Sequence, residues 1–255
     1  MTGEVRLVTY FSENMGMPRK LLGPKLLLYC SAQFVILSFG AMFFYPGGAT
    51  YQPGARRYLF FQNFFSDLGA TATRRSQSNT IAMVLFVVGL VSVGLGLVAS
   101  SPMWKRVIGR PGRAMFLGHA AHLLAVLAGI CYIGIGVTPW NLMLGVHMFF
   151  VQSAFSLLLA FVICLTVLQI QNKWPVRYVA SNAIYVALLS GYVFVLFDGP
   201  TLETPRGLVF QVVAQKIIVY VSVLNLAYQT AGVISSEEPG KPSDFRSYHS
   251  LETNS

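Results

Sequence analysis

The amino-acid sequence predicts an all-α protein, a polytopic membrane bundle of six transmembrane helices with a short amphipathic helix on its outer side. Hydrophobic residues make up 55% of the 255 residues and charged residues only 11%, whereas a typical soluble domain carries about 25% charged residues. The charges gather in short clusters, and long apolar segments separate the clusters. A spanning helix needs about 20 mostly apolar residues, and six segments meet this requirement.

The six segments contain almost no charge. The first five lack Lys, Arg, Asp and Glu, and the sixth contains only Lys216. Because the connection at 138–143 is short, the helices that it joins must run antiparallel. The predicted spans are residues 26–46, 80–100, 114–137, 144–170, 178–197 and 208–234. The predicted organisation is therefore a cytoplasmic N-terminal segment at 1–25, a six-helix transmembrane domain at 26–234, and a polar, disordered cytoplasmic tail at 235–255.

The basic residues predict the orientation of the bundle. On the N-terminal side of the membrane the helices are flanked by Arg6, Arg19, Lys20, Lys25, Lys105, Arg106, Arg110, Arg113, Lys173, Arg177, Lys241 and Arg246, and on the other side by Arg56, Arg57, Arg74, Arg75 and Arg206. This excess of basic residues predicts that both termini are cytoplasmic. The net charge of +9 therefore indicates contact with membrane lipids and not with nucleic acid.

Two further patterns concern partners and location. Small residues recur at every fourth position in two spans. This pattern is typical of close helix contacts, either between two copies of the chain in a homo-oligomer or inside one bundle. They are Ser92, Gly96 and Ser100 in the second span, and Ala121, Ala125 and Gly129 in the third. The tail stretch Tyr248 to Leu251 fits a tyrosine-x-x-bulky sorting signal or is a chance match. In a eukaryote, the expected location is the plasma membrane or an endolysosomal membrane.

The segment 58–70 before the second span is too short to cross a bilayer. On a helix at 100° per residue, its four phenylalanines and Leu68 fall in one arc. The polar residues Gln62, Asn63, Ser66 and Asp67 fall in the opposite arc. Two placements fit this pattern. The helix lies in the outer headgroup region with its aromatic side chains in lipid, or it dips inward and closes the mouth of the bundle.

Lys216 predicts a polar pocket in the outer leaflet. It lies about eight residues, roughly 12 Å, below the outer end of its helix, where an unpaired lysine costs on the order of 2.5–3.5 kcal/mol. Asp67 is the expected partner, with Asp198 and Glu203 as competitors. The pair is either a structural lock for the short helix or part of a ligand site. The other residues predicted at this pocket are Asn63, Ser66, His147, Gln152, Gln211 and Gln215.

Short motifs around these positions resemble a known family. They are Ser66-Asp67-Leu68-Gly69, Asn79 at the start of the second span, and Gly136-Val137-Thr138-Pro139 followed by His147. Through these motifs the chain resembles a six-helix membrane family of unknown function. That family is distantly similar to the DRAM/Frag/Sfk-type proteins. That resemblance implies roles in autophagy, lipid-anchor remodelling or phosphoinositide regulation. Ala70 stands where the eukaryotic relatives often carry Pro-Glu.

Metal, cofactor and catalytic motifs are weak. His119 and His122 share a face near the inner end of the third span, and His147 lies near the outer end of the fourth, more than roughly 10 Å away from His122. One metal with bonds near 2 Å cannot gather all three, so we expect no metal and no cofactor. The three cysteines are expected to behave as small apolar residues. The histidines lack the spacing of ceramidase-like hydrolases, and no phosphate loop, GxSxG or HExxH occurs.

Three functions remain open at this stage. The first is a non-enzymatic regulator that binds a lipid or a partner. The second is a small transporter or channel, for which the inner half of the bundle offers only Asn182, Asn225, Gln229 and two histidines as a polar track. The third is an intramembrane lipid-modifying enzyme that uses the outer polar cluster. The scarcity of catalytic groups favours the first.

Overall fold

The computed structural model describes residues 19–107 and 113–237, and its regular secondary structure is helical. The predicted tail and its Tyr248 motif lie outside the described residues, as does most of the predicted N-terminal segment. The helices of the described residues are α1 (Arg19–Phe44), α2 (Phe65–Leu68), α3 (Thr80–Val107), α4 (Arg113–Val137), α5 (Trp140–Gln171), α6 (Val176–Asp198) and α7 (Pro205–Glu237). All except α2 are long and apolar enough to cross a membrane. The predicted six-helix membrane bundle is thereby confirmed.

The six long helices form a closed ring. Each of the helices from α1 to α7, leaving α2 aside, packs against the next one along the chain, and α7 returns against α1. The α1–α3, α3–α4 and α4–α5 contacts are more extensive than those that α6 and α7 make. The loops at 45–79, 138–139 and 199–204 lie at one end of the ring, here called the loop face. The opposite end, where α1 begins and α7 ends, is called the terminal face.

The outside of the ring is apolar. Phe43, Ile36 and Leu224 are 83%, 70% and 68% exposed in the isolated chain, positions that hydrocarbon covers in a bilayer. A helix that meets lipid on one side and a protein interior on the other is apolar all round. For this reason the long helices show little segregation of polar from apolar residues.

Close helix contacts depend on small residues. A Cβ added at Gly129 would lie 2.7 Å from the carbonyl oxygen of Gly94, and one added at Gly96 would lie 3.2 Å from the Cα of Leu27 in α1. Ala121 and Ala125 are fully buried. These four small residues thus lie in contacts within one chain, as in the packing alternative. A homo-oligomer stays a prediction.

The loop at 45–79 differs in detail from the predicted amphipathic helix. Within 58–70 only Phe65–Leu68 is helical, and a turn at 60–62 precedes it. The polar side chains of Asn63 and Asp67 are buried, whereas Phe60 and Phe61 are 38% and 61% exposed. Packing overrides the helical period because the buried polar atoms find partners in the protein. The segment therefore follows the inward placement.

Candidate functional site

A plug closes the ring at the loop face. We use this name for residues 58–69, which contain α2. The Phe65 side chain is 3% exposed and fits between three long helices. Its ring centroid lies 6.3 Å from that of Phe34 in α1, 6.4 Å from that of Phe86 in α3 and 5.5 Å from that of Tyr220 in α7. Aromatic pairs at these separations attract one another, so Phe65 anchors the plug in the mouth of the ring.

Asn63 organises the polar interior of the plug. Its side-chain oxygen accepts from the Leu59 backbone N–H at 2.9 Å, and its Nδ2 donates to the Gly48 carbonyl at 2.9 Å and to Asp67 Oδ2 at 3.0 Å. Its own carbonyl accepts from the Tyr58 hydroxyl at 3.0 Å. Asn63 has no exposed surface, and these bonds satisfy its polar atoms as burial requires.

Lys216 fastens the plug to α7. Its side chain is only 2% exposed, and Nζ donates to the backbone carbonyl of Asn63 at 2.5 Å. Nζ also lies 5.4 Å, 5.1 Å and 5.5 Å from the ring centroids of Tyr58, Phe60 and Phe65. Aromatic faces attract a cation within about 6 Å. The ammonium is therefore held by a carbonyl and three rings of the plug.

Asp67 lies in the same cluster. The sequence predicted that it pairs directly with Lys216, but Asn63 stands between the two side chains. Its Oδ2 accepts from Asn63 Nδ2 and from the backbone N–H of Phe64, each at 3.0 Å. The connection from Lys216 to Asp67 runs through Asn63. Burial raises the pKa of Asp67, while the Asn63 hydrogen bond, the Arg74 charge, the Phe64 N–H and the Lys216 charge act in the opposite direction.

Gln215 and His147 lie below the plug, and Ser66 belongs to the plug. Gln215 Oε1 accepts from the backbone N–H of Phe65 at 2.8 Å, so two successive residues of α7 hold the plug. His147 is 5% exposed, and its Nδ1 lies 2.7 Å from the carbonyl oxygen of Thr138. All three residues line a cavity inside the ring.

The other two predicted residues lie elsewhere. Gln211 donates from Nε2 to the Pro200 carbonyl at 2.6 Å, at an exposed position on the loop face. Gln152 is half-buried on α5. Neither belongs to the described residues that line the cavity.

The cavity runs along the axis of the ring and has a volume of about 80 Å³. Every long helix contributes to its wall. One side is apolar and aromatic, with Phe86 and Leu90 of α3 and Phe155 and Leu158 of α5. None of the described residues that line it carries a charge.

A polar stripe of α7 forms the other side of the cavity. Its members recur on one helical face and are Gln215, Ser222, Asn225 and Gln229. From Gln215 to Gln229 the rise is about 21 Å at about 1.5 Å per residue. The cavity is therefore long and narrow.

Four side-chain amides close the cavity toward the terminal face. Gln169 Nε2 donates to Gln229 Oε1 at 2.7 Å, Asn182 Nδ2 donates to Gln169 Oε1 at 2.9 Å, and Asn225 Nδ2 donates to Asn182 Oδ1 at 2.8 Å. Gln229 also donates to the Tyr178 carbonyl at 3.0 Å. Three of these amides, Asn182, Asn225 and Gln229, were predicted from the sequence as members of a polar track, and Gln169 was missed. An amide inside an apolar span was the available signal, because such a group needs a partner.

No family model, curated protein or solved structure matches this chain. The resemblance to the six-helix family and to DRAM/Frag/Sfk-type proteins therefore stays a prediction. Within residues 19–107 and 113–237, no three His, Cys, Asp or Glu side chains lie close enough together to hold a metal ion. A functional assignment must accordingly rest on the geometry of the plug and the cavity.

Proposed function

We propose that this multi-pass membrane protein is a non-enzymatic regulator that binds the hydrocarbon chain of one lipid inside the ring. The observation that carries the proposal is the long, uncharged and mostly apolar cavity on the axis of the six helices. Mostly apolar walls with a small number of polar groups are typical of small-molecule sites. A single chain fits the elongated shape better than a compact solute does.

Packing supplies the driving force in this proposal. A lipid that moves from the bilayer into the cavity leaves one apolar environment for another, so the hydrophobic effect contributes little. An unfilled apolar cavity, however, lacks dispersion contacts along its walls. A chain that restores those contacts stabilises the bundle, and binding to the folded state alone raises its stability further with ligand concentration.

A second candidate is a transporter for small polar solutes. The observation in its favour is the polar stripe of α7 from Gln215 to Gln229. Transport would require the plug and the amide cluster to open in turn, and both are extensively hydrogen-bonded. The lipid-binding proposal requires one opening only, which is why we favour it.

The orientation is part of the proposal. From the distribution of basic residues, we infer that the loop face is the outer face and that both termini are cytoplasmic. Ser78 is exposed at the loop face. A Ser78→Cys variant with Cys30, Cys131 and Cys164 replaced by Ala should react with an impermeant maleimide on intact cells. Reaction only after permeabilisation would reverse the orientation.

Native mass spectrometry of the purified full chain tests lipid binding. The expected spectrum shows one co-purified lipid per protein. Val223 lines the cavity, and its neighbour Leu224 is 68% exposed on the outside of the ring. Val223→Phe should fill the cavity and remove the bound lipid, while the matched control Leu224→Phe should retain it. Equal lipid retention in both variants would contradict a site inside the ring, and chemical conversion of the lipid by the protein would favour an enzyme.

A further inference from the structure

The cavity offers a ligand no charge with which to pair. Lys216 is turned toward the plug, where Asn63 and three rings surround it. Asp67 is likewise engaged by Asn63 and Phe64. Burying an unpaired phosphate, carboxylate or ammonium costs several kcal/mol. A lipid that fits this cavity is therefore neutral inside it.

The loop-face end of the cavity presents specific hydrogen-bonding groups. A carbonyl oxygen can only accept, so the contact with Thr138 assigns the proton of neutral His147 to Nδ1. Nε2 is then the ring nitrogen left for a ligand, and it is an acceptor. Gln215 uses its oxygen on Phe65 and hydrogen-bonds the Tyr192 hydroxyl through its amide nitrogen, so the second of its two N–H groups remains as a donor. Ser66 adds a hydroxyl at the same end.

These groups match a hydroxyl, which both donates and accepts. We propose that the bound lipid has a neutral hydroxyl headgroup, and that this hydroxyl donates to His147 Nε2 and accepts from the Gln215 amide below the plug. This inference rests on the proposed lipid-binding function and names the class of ligand. The hydrocarbon chain then runs along the apolar wall toward the amide cluster.

The wall contains further evidence for a ligand with polar character. The Ser31 hydroxyl lines the cavity, is 2% exposed and has no hydrogen-bond partner within the protein. Buried hydroxyl groups without a partner are rare because they lose their hydrogen bonds to water. A hydroxyl of the ligand, or a water molecule that enters with the ligand, can form a hydrogen bond with Ser31. A purely hydrocarbon occupant cannot.

The test is photolabelling of the purified full chain in detergent. The probe is an octadecanol analogue with a diazirine in its chain, and the competitors are 1-octadecanol, octadecyl methyl ether and octadecyl sulfate. The ether keeps the chain and the oxygen but cannot donate, and the sulfate is permanently charged. We expect labelling on cavity-lining peptides of α3, α5 and α7. The alcohol should compete roughly threefold to tenfold better than the ether, the effect of one neutral hydrogen bond, and the sulfate should compete least.

Two matched variants assign the discrimination to one residue. His147→Phe should make the alcohol and the ether compete equally. His119→Phe carries the same substitution at an exposed histidine of α4 and should keep the wild-type preference. The comparison of the three competitors on the wild-type protein needs no variant, so the inference remains testable if His147→Phe does not fold.

The outcomes separate the two levels of the proposal. Cavity labelling with equal competition by the alcohol and the ether, or with stronger competition by the sulfate, would overturn the hydroxyl headgroup and leave lipid binding standing. The same holds if His119→Phe abolishes the preference and His147→Phe keeps it. Failure of the probe to label any cavity-lining peptide would overturn lipid binding itself, and the headgroup assignment with it.

Discussion

Lys216 in the last helix donates from Nζ to the backbone carbonyl of Asn63 in the first loop. This contact joins the last helix to the loop that follows the first helix, and it holds the plug in the mouth of the ring. The loop supplies the backbone carbonyl that the Lys216 ammonium needs at membrane depth, and the ammonium in turn fixes the loop. The relationship gives a direct prediction for stability.

Replacement of Lys216 by Met should destabilise the protein by about 1–3 kcal/mol, since a charge-assisted hydrogen bond and cation–π contacts are lost. Chemical denaturation in detergent measures the change. Lys25→Met is the matched control, because Lys25 is only half-buried near the terminal face, and it should have little effect. Equal stability of the two variants would show that Lys216 does not hold the plug.

Asn63 and Asp67 should be strongly coupled. The side chains share a hydrogen bond, so Asn63→Ala and Asp67→Ala should show an interaction energy of about 0.5–3 kcal/mol in a double-mutant cycle. The cycle of Lys216→Met with Asp67→Ala should give a smaller value, because Asn63 lies between them. A larger Lys216–Asp67 coupling would instead indicate a direct ion pair.

The stability of the wild-type protein should rise relative to Asp67→Asn as the pH falls. Burial raises the pKa of Asp67 in the folded protein, so the folded state binds the proton more tightly than the unfolded chain does. The stabilisation by protonation is complete below the unfolded pKa and is lost as the pH rises through the folded pKa. Denaturation from about pH 7 to about pH 4 measures this. A free energy of unfolding of the wild type that falls relative to that of Asp67→Asn on acidification would contradict the assignment.

Gln169→Leu should weaken the terminal-face end of the ring. The substitution leaves Gln229 Oε1 and Asn182 Nδ2 without their Gln169 partners, at a cost of about 1–3 kcal/mol for each buried group left unsatisfied. Gln171→Leu, at an exposed position two residues further along α5, should be nearly neutral. Thermal unfolding compares the two, and an equal midpoint temperature would argue against the amide cluster as a structural closure.

Gly129→Ala should disturb the α3–α4 contact, because its Cβ would lie 2.7 Å from the Gly94 carbonyl oxygen. Overpacking of this kind costs about 1–3 kcal/mol. Gly191→Ala is the control: nothing lies within 4 Å of its Cβ, and alanine in a helix should stabilise slightly. The midpoint of thermal unfolding distinguishes them, and tolerance of both changes would mean that α3 and α4 can separate without cost.

The polar contacts of the plug were only partly predictable. Lys216 drew attention because a charge inside an apolar span is costly, and Asp67 followed as a nearby carboxylate. The lysine meets a backbone carbonyl of Asn63 instead. Every residue has such a carbonyl, so sequence pattern gives no signal for it. The helical period left the phenylalanines of this segment either in lipid or in the mouth of the bundle. A turn at 60–62 precedes α2, and Tyr58 and Phe60 lie next to the lysine.

The sequence by itself determined the six spanning helices and the short segment before α3, because hydrocarbon admits only long apolar stretches whose backbone hydrogen bonds are satisfied internally. Only the tertiary structure decided that the helices form a ring around a cavity, and that Gln169, Asn182, Asn225 and Gln229 meet at its end. The physical reason is that lipid and an apolar interior favour the same side chains. Hydropathy therefore locates each helix along the chain but does not reveal which of its faces points to the centre.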